Sequence, residues 1–445
     1  MALSVAAQAQ LSSADPASVV EAFGQLRRYL QHDRWLGLRN AYATDTVRRI
    51  DADLGTTPSS INDKHLVEYI AASVPIHAID GWSYLGRALS AHMAGDVFAA
   101  RHLAYYAELR AAMCLLATQG IGVFNKRHFV VTSRSGAQVV TGGGGTHVFA
   151  WDALKWWAAT PQASNVIGDV IEPYQVKLRT WLAGATGYAA WAPVAQDWIQ
   201  NLGVDLNRAA NDQRSRNEAS YRPTRIRTPR PVNVRRGAEF TIGLWLSLEP
   251  TPSGFERLDR HFLRRSFEEA YKSVAGRRPN AANAHYTAAV DGLLAGNNVT
   301  EPRLSFLRNF LLRGTEPDDL LVLRNASVDS RPTADDHHLH VLSRATLLLT
   351  IASLSARSVI RRATISPEDT RFWWQLVGSD RGVWDSQQPP LNLHDYWEDV
   401  QVELDDLQAW LDNGGEEAAS LAADCSRPLA RLAQLELAGL WGIAA

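Results

Sequence analysis

The sequence predicts a mainly α-helical protein: a multi-helix bundle with one small β-hairpin near residues 129–140. Three observations predict it. Apolar residues recur at helical spacing through most of the chain. The one clear strand–turn–strand pattern is short, and it is confined to 129–140. Of the 445 residues, 46% are hydrophobic, which is enough for a sizeable core.

The elements follow in chain order. Asp15-Pro16 is a helix-start signal, and residues 17–54 read as helix with breaks. Gly55 to Ser60 reads as a loop. Asn62 or Asp63 can cap the next helix, which Pro75 should end near Ser73. Trp82, Leu85, Leu89 and Met93 form an apolar stripe. Gly95 stops that helix and Asp96 can cap the next, whose stripe is Ala99, Leu103, Tyr106, Met113 and Ala117. So short a link predicts an antiparallel αα-hairpin.

Phe129–Thr132 and Ala137–Val140 flank the turn Ser133-Arg134-Ser135-Gly136, a β-hairpin pattern. A glycine run, Gly142 to Gly145, precedes a helix containing Trp151, Trp156 and Trp157. It reads as a flexible loop or an anion cradle. Further helices are expected over Phe255–Val274, Arg303–Arg313, Ala334–Arg362 and Asp395–Asp412. Phe372-Trp373-Trp374 is an aromatic anchor between the last two, and Glu416–Trp441 is expected as one closing helix.

Residues 207–236 differ from their surroundings. Arg208 to Arg236 holds nine Arg against Asp212 and Glu218, nine minus two or about +7, and Pro223, Pro229 and Pro231 forbid a continuous helix. The chain is therefore divided into an N-terminal helical domain (1–206), an Arg/Pro-rich connection (207–236) and a C-terminal helical domain (237–445).

Composition bounds the function. The formal net charge is −2, so any nucleic-acid surface must be local. Of 45 basic residues only Lys64, Lys126, Lys155, Lys177 and Lys272 are Lys. The Arg excess fits either a compositional bias or a preference for bidentate phosphate and carboxylate contacts. Two cysteines, Cys114 and Cys425, make neither a disulfide framework nor a zinc site. The N-terminus lacks a signal-peptide pattern, and no uncharged apolar run of about 18 residues occurs. A cytoplasmic protein without a membrane partner is expected. No P-loop, dinucleotide fingerprint, metalloprotease motif or nucleophile elbow is present, so no cofactor and no metal are expected.

One pair stands on the helical hairpin, Arg87-Ala88-Leu89-Ser90-Ala91-His92. The hairpin over roughly residues 62–128 resembles the HEPN superfamily, whose ribonucleases carry an Arg followed by a His at this spacing. The resemblance implies a prokaryotic, RNA-directed protein, a metal-independent ribonuclease of defence or toxin type. His92 would be its general acid/base and Arg87 its phosphate clamp. Five residues of continuous helix turn through about 500°, so the two side chains diverge by roughly 140°. They meet only if the helix frays before Gly95 or across a dimer.

Other candidates are polar residues in unusual places. His102 and Arg110 lie on or beside the apolar stripe of the second helix, as a phosphate site or as an ion pair with Asp80 or Asp96. Arg222, Arg225, Arg227, Arg230, Arg235 and Arg236 suit phosphate contacts, with Tyr221 beside them. They fit equally an interdomain loop paired with Glu398, Asp399, Glu403, Asp405 and Asp406. Asp335-Asp336-His337-His338-Leu339-His340 reads as a helix start that Thr333 and Asp336 would cap, or as a metal site using Asp336 and His340. The alternative to a ribonuclease is a non-enzymatic helical subunit that binds RNA, DNA or partner proteins, or assembles with copies of itself.

Overall fold

The computed structural model describes residues 3–57, 59–183, 233–328 and 336–444. It is mainly α-helical with one small antiparallel sheet, as the sequence predicts. The N-terminal elements are α1 (Val5–Leu11), α2 (Pro16–Gln25), α3 (Arg27–Leu30), α4 (Thr46–Leu54), α5 (Asp63–Met93) and α6 (Val97–Thr118). Next come strands β1 (Ile121–Phe124), β2 (Arg127–Ser133) and β3 (Gly136–Val140), then α7 (Thr146–Ala158), α8 (Pro161–Val170) and α9 (Leu178–Ala183). The described chain resumes with α10 (Val234–Ser247), α11 (Glu256–Ala275), α12 (Ala284–Gly296), α13 (Arg303–Leu311) and α14 (Leu321–Ser327). It ends with α15 (His337–Arg362), α16 (Arg371–Asp380), α17 (Tyr396–Asp412), α18 (Ala418–Asp424), α19 (Ser426–Leu432) and α20 (Glu436–Ala444).

The predicted αα-hairpin is α5 and α6. Asn62 caps α5 by accepting from His65 N, and Asp96 caps α6 by accepting from Ala99 N. Pro75 does not end α5, contrary to expectation: the helix runs through it for 31 residues, about 45 Å. An interior Pro costs about 3 kcal/mol. Here Val74, Pro75 and Ala78 are all buried, and packing along α6 offsets that loss.

The buried face of α6 also differs from expectation. Ala99, Leu103, Tyr106 and Met113 are only partly buried, whereas Ala100, Ala104, Ala107, Ala111 and Cys114 are fully buried. The small residues let α6 lie close between α5 and α15. Gly81 marks the same close approach, since a Cβ there would sit 2.4 Å from Leu349 Cδ2.

The sheet has order β1-β2-β3, with Val130 opposite both Ile121 and Gln138. Strand β1 was not expected. All four of its residues are buried, so it lacks the alternation by which strands are recognised. The closing segment is likewise three short helices, α18 to α20, rather than one. Breaks at Cys425 and after Ala433 return the chain so that α19 packs on α17 and α20 packs against α5 and α15.

Of the expected connection, only residues 233–236 are described. The helices before and after it contribute to one hydrophobic core. Trp82 Nε1 on α5 donates to Ser353 Oγ on α15 at 2.8 Å inside it. Among the described residues one helix, α15, is long and apolar enough to cross a membrane, and its apolar stretch is entirely buried within the fold.

Candidate nucleic-acid interface

The outward faces of α5 and α6 lie side by side. On α5 the positions along this face are Ser73, His77, Asp80, Tyr84, Arg87 and Ala91, spaced three or four apart and all at least partly exposed. On α6 they are Ala99, His102, Leu103, Tyr106, Arg110 and Met113. The antiparallel pairing matches them rung by rung. Arg110 Nη1 donates to His77 Nδ1 at 3.0 Å and lies 3.6 Å from Asp80 Oδ2. Tyr84 stacks on Tyr106 with centroids 5.5 Å apart and planes at 24°. Arg87 closes the row, its guanidinium 4.5 Å over the Tyr84 ring and its Nε donating to Ser83 O.

The row is continued by neighbours. His102 lies 5.1 Å from Tyr106, and His147, from the start of α7, lies 6.0 Å from it. His147 Nδ1 also meets Tyr105 Oη at 2.9 Å. Arg381 reaches in from the end of α16 and donates to Ser83 Oγ at 2.6 Å, while its Nε pairs with Glu436 at 3.2 Å. Burial, with the Arg110 charge beside it, pushes His77 down to about 3, so it is neutral and accepts from Arg110. Burial raises the Asp80 carboxyl, against the pull of Arg110, Arg87 and Arg381.

This arrangement accounts for two sequence oddities. The stripe bearing His102 and Arg110 is a surface stripe, so neither residue faces the core. Of the two partners expected for Arg110, Asp80 is the one it meets, while Asp96 is spent capping α6. Tyr84 was not singled out in the sequence, and Tyr106 was assigned to the core. The signal that finds them is the antiparallel register of the hairpin, in which position 84 falls opposite 106.

Arg87 and His92 go to different places. Arg87 is exposed on the outer face. His92 is 3% exposed, wedged between α5, α10 and α15. Its Nε2 lies 3.4 Å from Gly237 O and its Nδ1 3.0 Å from His338 Nε2, while Phe240 meets its ring edge-on. A carbonyl only accepts, so Nε2 carries the proton and Nδ1 accepts from His338. Burial lowers His92 to about 4. Helix α5 does not fray before His92, and the two side chains share no partner among the described residues.

Of the Arg-rich segment, Arg222, Arg225, Arg227 and Arg230 lie outside the described residues. Arg235 pairs with Glu239 at 3.2 Å and donates to Leu411 O, and Arg236 pairs with Asp336 at 3.0 Å. Two of the acids expected to receive this segment have other partners: Asp399 meets Arg431 and Glu403 meets Arg427. Asp336 precedes α15 but makes no side-chain cap, and it lies 3.9 Å from His340. Thr333 and Asp335 lie outside the described residues. No three metal-ligating side chains converge among the described residues. The glycine run is tied down at Gly144 O, 3.0 Å from His128 Nε2.

No family model matches the chain, and no curated protein or solved structure is significantly similar to it.

Proposed function

We propose that the chain is a non-enzymatic, HEPN-like helical subunit that binds single-stranded RNA on the outer face of the α5–α6 hairpin. The observation that carries this reading is the row Arg87–Tyr84–Tyr106–Arg110, in which two cations flank a pair of stacked rings on one face. Single strands are held by stacking of bases on aromatic rings and by cations on the phosphates. His77 to Arg87 spans ten residues, about 15 Å along the helix. The other seven Arg of 208–236, besides the paired Arg235 and Arg236, add a second source of phosphate contacts in the same chain.

Burial of His92 by the chain's own helices speaks for binding rather than cleavage, because a general acid/base must reach the proton it moves. The test is anisotropy of a labelled RNA oligonucleotide across a salt series. Arg87→Ala and Tyr84→Ala should each weaken binding about five- to 150-fold, of the order of the 1–3 kcal/mol a stacked base contributes. Affinity should fall with salt, less steeply in Arg87→Ala. RNA incubated in EDTA with wild type or His92→Ala should remain intact. Cleavage by wild type that His92→Ala abolishes would restore the ribonuclease reading.

A partner protein on the same face is the second reading, favoured by Leu103 and Met113 on the α6 stripe. It predicts that Leu103→Asp disrupts an assembly while RNA affinity is unchanged.

A further inference from the structure

Residues 383–426 contain eleven Asp and Glu and not one Arg or Lys. Helix α17 lies in this stretch and sorts its acids by face. Glu398, Asp399, Val402, Asp405 and Asp406 are exposed, while Trp397, Val400, Leu404, Leu407 and Trp410 face the interior. Glu403 breaks the sorting, a carboxylate on the buried stripe and only 3% exposed. Its Oε1 accepts from Arg427 Nε at 2.9 Å, and its Oε2 has no hydrogen-bond partner. A buried acceptor left unsatisfied costs about 1–3 kcal/mol, so such an atom calls for an explanation.

Glu403 lines a cavity of about 430 Å³ between α17, α19 and the turn at Gly382-Val383. The other charged groups on its wall are Asp399, Arg427 and Arg431. Arg431 is already engaged: it donates to Val383 O and Gln434 Oε1, and it pairs with Asp399 at 3.3 Å. Arg427 stands at the mouth with its side chain 82% exposed, so it can swing aside. What the cavity offers a newcomer is acceptors: the exposed Asp399 carboxylate and, once Arg427 swings aside, the second oxygen of Glu403, which is otherwise closed off from solvent.

We propose that this cavity and the acidic face of α17 form a docking site for an arginine-rich segment of a partner protein, one guanidinium entering to donate to Glu403 Oε2. The occupant is a cation because the two arginines on the cavity wall are already paired with Glu403 and Asp399, and the exposed face of α17 beside it adds Glu398, Asp405 and Asp406 with no basic residue. It is an organic cation because no metal-ligating trio is present among the described residues. It is a guanidinium because its planar fork satisfies carboxylates bidentately, which a Lys ammonium does not. The exposed Asp405 and Asp406 would attract flanking arginines at longer range. The site is separate from the RNA-binding face and does not depend on it.

The experiment is titration of the full-length protein with a labelled octa-arginine peptide and, separately, octa-lysine at physiological salt. Octa-arginine should bind at least ten-fold tighter. Glu403→Gln should remove that advantage while leaving octa-lysine affinity unchanged, and thermal unfolding of the variant checks that it folds. On the wild type, hydrogen exchange with octa-arginine bound should slow at 382–383, 399–404 and 427–434, a reading that needs no variant. Equal affinity for the two peptides, no effect of a folded Glu403→Gln, or protection confined to other segments overturns the proposal.

Discussion

Histidine shows what burial does to a single residue here. Burial holds His92 and His128 at about 4, and His77 and His337 at about 3, the latter also facing Arg101 and Arg344. All four lie below the ordinary imidazole value of about 6.5. Between pH 6.5 and 4 the unfolded chain therefore takes up protons that the folded chain refuses, and stability must fall on acidification. Below about pH 3 the loss is complete. For His92 alone the span is worth about 3 kcal/mol. His92→Gln should flatten the dependence of the unfolding temperature on pH between 6.5 and 4, with little effect at pH 8 beyond a constant offset. An unchanged slope would show that His92 is not the buried, neutral residue described. The same burial separates His92 from the exposed Arg87: spacing along a helix says nothing about which face a second half of the chain will cover.

At the scale of elements, packing partners decide what local pattern cannot. The stripe Ala99, Leu103, Tyr106 and Met113 carries the larger apolar side chains, so periodicity assigns it to the core. The face that α15 covers is built of alanine instead, and α15 lies more than two hundred residues further on. Strand β1 was invisible for lack of alternation, and α5 was cut short by a proline that its buried surroundings tolerate. The hairpin, its caps, the β2–β3 turn and the long apolar α15 were all legible, because caps, turns and periodicity are local. Ion networks were not. Arg264 on α11 is fully buried and donates to Asp319, the His261 ring and the carbonyls of Phe310, Glu316 and Asp318. It ties the loop 313–320 to the helix. Arg264→Met should cost about 3–5 kcal/mol, since it leaves three buried carbonyls without their donor, while Asp319 keeps Arg265 and Arg313. Chemical denaturation measures this, and a loss below about 1 kcal/mol would mean the loop has other anchors.

Over the whole molecule, a net charge of −2 conceals strong local differences. A basic, aromatic row runs along the first helical hairpin, and an arginine-free acidic stretch forms α17 and its neighbours. His102 and Arg110 were legible as polar residues in odd positions, and Arg87 as the arginine of a short Arg–His pair. Their membership of one surface was not, because it depends on the antiparallel register of α5 and α6 and on Arg381 arriving from far along the chain. In the proposed binding mode, bases stack on Tyr84 and Tyr106. The most direct measurement is photocrosslinking of the wild-type protein to a single-stranded RNA carrying 5-iodouridine, followed by mapping of the modified peptide. Crosslinks are expected at Tyr84 or Tyr106. Efficient crosslinking confined to other residues, with both tyrosines unmodified, would contradict it.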